Sequence, residues 1–190
     1  MAQYRIEAST ITHAPPEAVW AVLDDFRGWS RWMPAMEQLQ IELPAGQKPG
    51  PGYRLRLRGA LVSADLQITD FSALRRATTF RINFPPFTGT NSCQVTPLGD
   101  GRYQVDRIDA IDMPEALVGF LQATQRERFE RLAAEFLAAL VGAVEARVAD
   151  GKSGHPARGS SRTRAGHRAR RAARTVGANA RCTAPDRCDK

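Results

Sequence analysis

The chain has 190 residues, 43% of them hydrophobic, and a formal net charge of +7. That charge is uneven: 11 of the 27 Lys and Arg residues, against Asp186 and Asp189, fall in 151–190, leaving 16 basic and 18 acidic residues in 1–150, a net of −2. The pI near 10.0 is therefore a property of the C-terminal stretch. The first 150 residues have the length of one ordinary domain, able to bury about 70% of its unfolded surface.

No run approaches the ~18 apolar residues of a spanning helix, so stable membrane insertion is not expected. The opening Met1-Ala2-Gln3-Tyr4-Arg5-Ile6-Glu7 is charged and lacks the apolar stretch of a secretory signal. Cys93, Cys182 and Cys188 are too few and too odd in number for a disulfide framework, and a reducing, cytoplasmic setting is expected. His155, His167, Cys182 and Cys188 match no usual zinc spacing.

The chain opens on an alternating segment, with Tyr4, Ile6, Ala8 and Thr10 against Gln3, Arg5 and Glu7, which predicts a strand. It ends at Pro15-Pro16, where a missing N–H suits a helix start. Val19, Val22, Leu23 and Phe26 then follow the spacing of one buried helical face. Arg27-Gly28 is expected to break that helix, and Trp29 with Trp32 to begin a second short helical turn before Pro34.

Met36 to Leu43 reads as a strand closed by Pro44-Ala45-Gly46. Tyr53, Leu55 and Leu57 then alternate with Arg54, Arg56 and Arg58, and after a turn at Gly59-Ala60, Val62, Ala64, Leu66 and Ile68 alternate with polar residues. One apolar and one charged face describe antiparallel strands wetted on one side, with Asp65 available to the outward arginines. Phe80, Ile82 and Phe84 continue the pattern up to Pro85-Pro86, and Asn91 to Thr96 is a weaker strand. Gly99-Asp100-Gly101 is a turn leading into a strand from Tyr103 to Ile111. Its parity is mixed: Tyr103 and Val105 share a face with Arg107 and Asp109. Either a bulge switches faces, or charged groups point inward.

Asp112 and Glu115 have the spacing of a capping box, and a long helix is predicted from there to about Arg147. Leu117, Phe120, Leu121 and Thr124 form one apolar patch, and Phe129, Leu132, Phe136 and Leu140 a second, rotated one, so a bend is expected near Gln125. Arg126 and Glu130 are one of several i, i+4 pairs on the exposed side.

The order is strand, two short helices, six strands, one long helix. With Ala14-Pro15-Pro16-Glu17-Ala18-Val19-Trp20 and Trp32-Met33-Pro34, it resembles the SRPBCC superfamily (START and Bet v 1-like), closest to its polyketide cyclase/dehydrase and lipid-transport branch. That resemblance covers residues 3–147 and implies an α+β helix-grip fold: a curved, antiparallel seven-stranded sheet wrapped around a long C-terminal helix, with an apolar cavity between them.

Trp20 is read as core. Trp29 and Trp32 lie where the resemblance puts the cavity mouth. The candidate ligand-binding residues are Tyr53, Leu55, Leu57, Leu66, Ile68, Phe80, Ile82 and Phe84 from the sheet, Phe120 and Thr124 from the helix, and Tyr103 and Arg107 as polar anchors. The apolar ones are equally ordinary core residues. An inward Arg107 would pair with Asp109 or with a ligand, because buried charge is costly alone.

No residue stands out as catalytic. His13 lies in a link, Cys93 reads as a buried, inert thiol, and there is no phosphate loop, GxGxxG or HExxH, so no cofactor or metal is expected. The resemblance implies a protein that holds a lipid, isoprenoid quinone or polyketide-like ring system, or a cofactor-independent cyclase or dehydratase working by position and proton transfer.

The domain is placed at residues 1–148 and a basic, disordered tail at 149–190. From Arg158 to Arg181 the tail is Arg, Ala, Gly, Ser and Thr with no aromatic residue, so it cannot bury enough apolar surface to fold. Its arginines could give a weak, non-specific nucleic-acid or acidic-surface contact, which leaves a further reading open, an interaction module with a nucleic-acid-binding tail. Deleting residues 151–190 is expected to leave the thermal midpoint in scanning calorimetry nearly unchanged. Roughly 1 kcal/mol shifts a domain of this size by about 2–8 °C, so a larger fall would show that the tail docks on the domain.

Overall fold

A computed structural model describes residues 2–153; of the stretch read as tail, 149–153 continue the last helix and the rest lies outside the described residues. The chain forms β1 (Ala2–Thr12), α1 (Pro16–Leu23), a 3-10 turn (Phe26–Arg31), β2 (Gln40–Glu42), β3 (Arg54–Arg58), β4 (Ser63–Phe71), β5 (Arg75–Asn83), β6 (Pro86–Gly99), β7 (Arg102–Met113), α2 (Glu115–Thr124) and α3 (Arg126–Ser153). The seven strands form one antiparallel sheet in the order β1-β7-β6-β5-β4-β3-β2. Neighbours in the sheet are neighbours in the chain, except that β1 closes against β7. This is the α+β helix-grip architecture.

Alternation sets the sheet's two faces. Tyr4, Ile6 and Thr12 of β1 are buried while Gln3, Arg5 and Glu7 face water. Thr12 Oγ1 accepts from the Ala14 N–H at 3.1 Å, turning the chain into Pro15. On the outer face Arg56 lies directly opposite Asp65 and donates to it at 2.6 Å, and Arg58 reaches Glu42 at 3.2 Å. Trp20 is core: it is 5% exposed and its Nε1 donates to the Ala73 carbonyl at 2.7 Å, tying α1 to the β4–β5 hairpin.

Several elements differ from the sequence reading. α1 ends at Leu23, earlier than Arg27-Gly28, and those two residues sit inside the 3-10 turn. Gly28 is needed there because a Cβ would meet the Asp25 carboxylate and the Arg31 guanidinium at 2.5 and 2.8 Å. The strand expected over Met36 to Leu43 shrinks to Gln40–Glu42, because Ala35 turns through a positive φ of 63° and Met36 folds into the core. Conversely β6 begins at Pro86, well before Asn91, since a two-residue hairpin pairs Asn83 with Pro86. Proline is tolerated as the first residue of a strand.

The capping box does not form. Asp112 stays in β7, accepting from Gln3 and Thr88, and the helix starts at Glu115 behind Pro114. The expected bend is a full break at Gln125 between α2 and α3. α3 then passes Arg147 and continues to Ser153; Arg147 Nη1 donates to the Ala21 carbonyl at 2.9 Å, fastening the helix to α1. Leu132, read as part of the inward stripe, is 47% exposed. The buried stripe is Ala133, Phe136, Leu137, Leu140 and Val144, since small Ala133 lets the helix approach β1 more closely than a leucine would.

The core falls into three clusters. One joins α1, Cys93, Val95, Val105 and the middle of α3, from Phe136 to Val144. A second joins the 3-10 turn to β3 and β4 through Phe26, Trp29, Tyr53, Leu55, Leu66 and Ile68. The third lies beneath α2, around Tyr4, Ile6, Met113 and Val118. α3 packs chiefly on β1, β7 and α1, at one side of the sheet. Leu140→Ala, at a site with no exposure, is expected to cost about 2–5 kcal/mol in urea unfolding. Phe120→Ala, 59% exposed, should stay within about 0.5 kcal/mol; equal losses would mean that Phe120 is buried in solution.

Candidate functional site

The cross-strand registers line up the inward residues of the central strands in rows. Arg76, Cys93, Arg107 and Ala8 form one row; Thr78, Asn91, Asp109 and Ile6 form the next; Phe80, Gly89, Ile111 and Tyr4 form a third. In the third row the Phe80 ring occupies the space above Gly89, where a Cβ would collide with the ring and with the Ala110 carbonyl. The first two rows are unusually polar for the concave face of such a sheet.

A cavity of about 190 Å³ lies above the first two rows, between the first and second clusters. Leu55, Leu57, Leu66 and Ile68 wall it on one side, Phe26, Trp29 and Met33 cover it, and Phe136 reaches in from α3. Its polar wall is Asp24, Arg76, Thr78, Asn91 and Arg107. A mostly apolar hollow with a few convergent polar groups is the usual form of a small-molecule site.

The parity of β7 resolves in favour of inward charges. The β1–β7 register runs without a shift from Tyr103 to Met113, so no bulge turns Arg107 and Asp109 outward. Arg107 instead forks onto Asp109, with Nε and Nη2 donating at 2.7 and 3.0 Å, and its guanidinium lies 3.7 Å from the Phe136 ring centre. The two side chains are only 20% and 16% exposed. Burial works against the Arg107 charge, but Asp109 more than offsets it, and the guanidinium pKa ends above its ordinary value.

A second ion pair stands on the same wall. Arg76 donates to both Asp24 carboxylate oxygens at 3.1 Å and lies over the Phe71 and Trp20 rings at 3.8 and 4.5 Å. Burial raises the Asp24 pKa above the usual carboxylate value, and the bonds from Arg76 bring it only partly back. Between the pairs, burial pushes the Cys93 thiol up to about 11, which leaves it protonated and inert at neutral pH. Thr78 Oγ1 donates to Asn91 Oδ1 at 2.8 Å.

Five of the residues read from the sequence meet at this cavity: Leu55, Leu57, Leu66, Ile68 and Arg107. The others do not line it. Tyr53 is spent on packing, its ring stacked 5.6 Å from Phe26, and Tyr103 packs on the cluster beneath α1. Phe80 lies over Gly89, lower on the sheet, and Ile82 is two residues further from the polar rows. Phe84, at a hairpin tip, is 66% exposed. Phe120 and Thr124 face water because α2 packs on the third cluster through Leu117, Val118 and Leu121 instead, and Thr124 Oγ1 donates to the Phe120 carbonyl of its own helix at 2.8 Å.

Asp24, Arg76, Thr78 and Asn91 were missed. Extending the Phe80–Ile82 alternation backwards puts Thr78 and Arg76 on the inward face, and Cys93–Val95 does the same for Asn91. That signal was present; Asp24 gave none, since its partner comes from across the sheet.

A wider trough of about 940 Å³ runs along the sheet's outer face, lined by Arg54, Arg56, Asp65 and Arg81 among others. It is open and charged, so it does not offer the desolvated surroundings that an apolar ligand needs. Among the described residues no group of three or more His, Cys, Asp or Glu is placed to hold a metal ion.

The sheet and the helix it grips, with a partly open hollow between them, define a helix-grip domain. Residues 3–145 match the family described as polyketide cyclase / dehydrase and lipid transport, and the chain belongs to it. No curated protein matches in sequence. In structure the chain is similar to the ZhuI aromatase/cyclase from Streptomyces sp. R1128, at 20% identity and a TM-score of 0.55 over 77% of this chain and 96% of that one. It is also similar to a START superfamily protein from Mycobacterium smegmatis, at 15% identity and a TM-score of 0.52 over 75% and 98%. The DynU16 protein of the dynemicin biosynthetic locus matches at 15% identity and a TM-score of 0.51, over 75% of this chain, which spans only 47% of that one. At these identities the likeness is one of fold.

Asp109→Asn should leave the Arg107 guanidinium without its counter-charge where little water reaches it, at a cost of about 1–3 kcal/mol. Replacing both partners, Arg107→Met with Asp109→Leu, should recover most of that loss. A double-mutant cycle by urea unfolding reads the coupling; purely additive losses would show that the pair does not act as one unit.

Proposed function

We propose that residues 1–148 form a binding domain for a hydrophobic small molecule of the lipid, isoprenoid-quinone or polyketide-like kind. The ligand carries a carbonyl, enolate or carboxylate that docks against Arg107. The observation that carries this reading is the coincidence of an apolar hollow with an inward, ion-paired arginine on its wall. A core meant only to be stable would gain from apolar residues at those positions, since a buried ion pair is often no better than well-packed hydrophobes. Membership of a family that includes lipid transport supports the same reading. Among the described residues no helix is long and apolar enough to cross a membrane. A cytosolic setting suits this role, and the sparse cysteines are in keeping with it.

A second reading, a cofactor-independent cyclase or dehydratase, is favoured by Asp24. Burial on the cavity wall raises its pKa above the ordinary carboxylate value, the direction that favours a group able to take up and release a proton. An aldol closure needs a base to take a proton next to a carbonyl and returns a proton to the new alkoxide; loss of water then completes a dehydration. Asp24 would carry the proton, while Arg107 draws charge onto the oxygen. Turnover of a poly-β-ketone substrate, lost in Asp24→Asn, separates this reading from binding alone.

Leu57→Phe, on the cavity wall, should abolish the fluorescence gain of an apolar naphthalene dye at less than about 1 kcal/mol of stability. Ile82→Phe, away from the cavity, should leave the dye response unchanged. A close-packed wall would make Leu57→Phe cost ~1–3 kcal/mol instead, and that outcome with no dye response would remove the binding proposal.

A further inference from the structure

A second hollow of about 170 Å³ lies under the N-terminal half of α3, and the two share two walls: Arg107 and Phe136. Its other walls are Ile6, Phe80, Ile111, Phe129 and Ala133, with half-exposed Leu132 at its rim and Asp109 as a polar group, so Phe80, which misses the first hollow, lines this one. The first hollow sits over the rows of Arg107 and Asp109 and the second over those of Asp109 and Ile111, so together they extend along β7. Nothing but the stacked Arg107 guanidinium and Phe136 ring, 3.7 Å apart, is shared between them.

Of the two shared groups, Phe136 is held in the core on α3 and Arg107 is the one with freedom to shift. Arginine has a long stem that keeps its head charged in several rotamers, and its fork here is held by one carboxylate on the same strand. A ligand oxygen could take over one of the N–H donors of Arg107, whose five donors exceed what Asp109 accepts.

We propose that the two hollows are halves of one ligand channel, with Arg107, stacked on Phe136, as the displaceable part of the partition. The ligand class is an elongated molecule with an oxygen in its middle: one apolar arm in each hollow and a central carbonyl or enolate at Arg107. This deepens the binding function above and rests on it. The Arg107–Asp109 pair then holds the centre of the ligand rather than its end, and Phe136 sets how far the second arm can enter. A fatty acid docked by its terminal carboxylate would fill one hollow only.

Chalcone, two aryl rings joined through an enone, has this shape, whereas acetophenone supplies one ring and the carbonyl. In calorimetric titrations the unmodified chain should bind chalcone at least about tenfold more tightly, since the second ring leaves water for the second hollow. Ala133→Leu narrows the second hollow from α3 and should remove that advantage while leaving acetophenone affinity within about twofold. Equal affinities in the unmodified chain overturn the channel without any variant, whether or not Ala133→Leu folds. Equal loss of both ligands in a folded Ala133→Leu also overturns it. Binding of neither ligand, with no dye response, removes the binding function itself, which is a different outcome from binding both equally well.

Discussion

The interior is organised around an ion pair that ordinary packing would not have chosen. Arg107 and Asp109 sit on the concave face of the sheet, bonded to each other and roofed by the Phe136 ring. Removing two charges from water costs several kcal/mol per ion unless hydrogen bonds and partial hydration compensate. The compensation comes from the fork, the ring face and residual exposure of about one-fifth. A helix pressed flat onto this part of the sheet would desolvate the pair fully. The charges therefore require space around them, and the core separates into three clusters rather than one.

The elements that keep that space open are anchored elsewhere. Ala133, Leu137, Leu140 and Val144 hold α3 to the β1, β7 and α1 side of the sheet. On the other side, Trp29 closes on the Leu23 carbonyl at 2.8 Å and meets Phe26 edge to face, which fixes the 3-10 turn over β3 and β4. Trp20 and the Arg76 guanidinium brace the junction between α1 and the β4–β5 hairpin. Each anchor buries its own apolar surface, so the span between them can stay hollow without loss of fold. The polar groups on that span also each have a partner: among the described residues no buried side-chain nitrogen or oxygen lacks a hydrogen bond.

The two ion pairs differ in what they can do. Asp109 accepts a fork from a neighbour two residues along its own strand, a local arrangement that can open and re-form. Asp24 belongs to the end of α1, and its partner Arg76 reaches it from β5, wedged between two aromatic rings. This second pair is a tertiary brace and is costlier to disturb. A ligand oxygen is therefore more easily accommodated at Arg107, while Asp24, with its raised pKa, is the better placed group for holding a proton.

The sequence by itself determined the order of the strands and first helices, both faces of β3 and β4, an outward Asp65 within reach of the arginines and a change of helix direction near Gln125, though not that the helix breaks there. These follow from local alternation and helical period, which act over a few residues. It also located four walls of the cavity, because Leu55, Leu57, Leu66 and Ile68 lie on cleanly alternating strands. It left Arg107 between two readings, since a bulge and an inward charge produce the same parity; only pairing with β1 over an unbroken register decided it. Phe120 and Thr124 were indistinguishable from inward residues until the packing of α2 on the third cluster, through Leu117, Val118 and Leu121, set which of its faces is buried. Asp24 and Arg76 are 52 residues apart, and their meeting depends on how α1 lies across the β4–β5 hairpin. Only the tertiary structure could decide which side of the sheet α3 would grip, because that choice is made by apolar area summed over three separate clusters and not by any single segment.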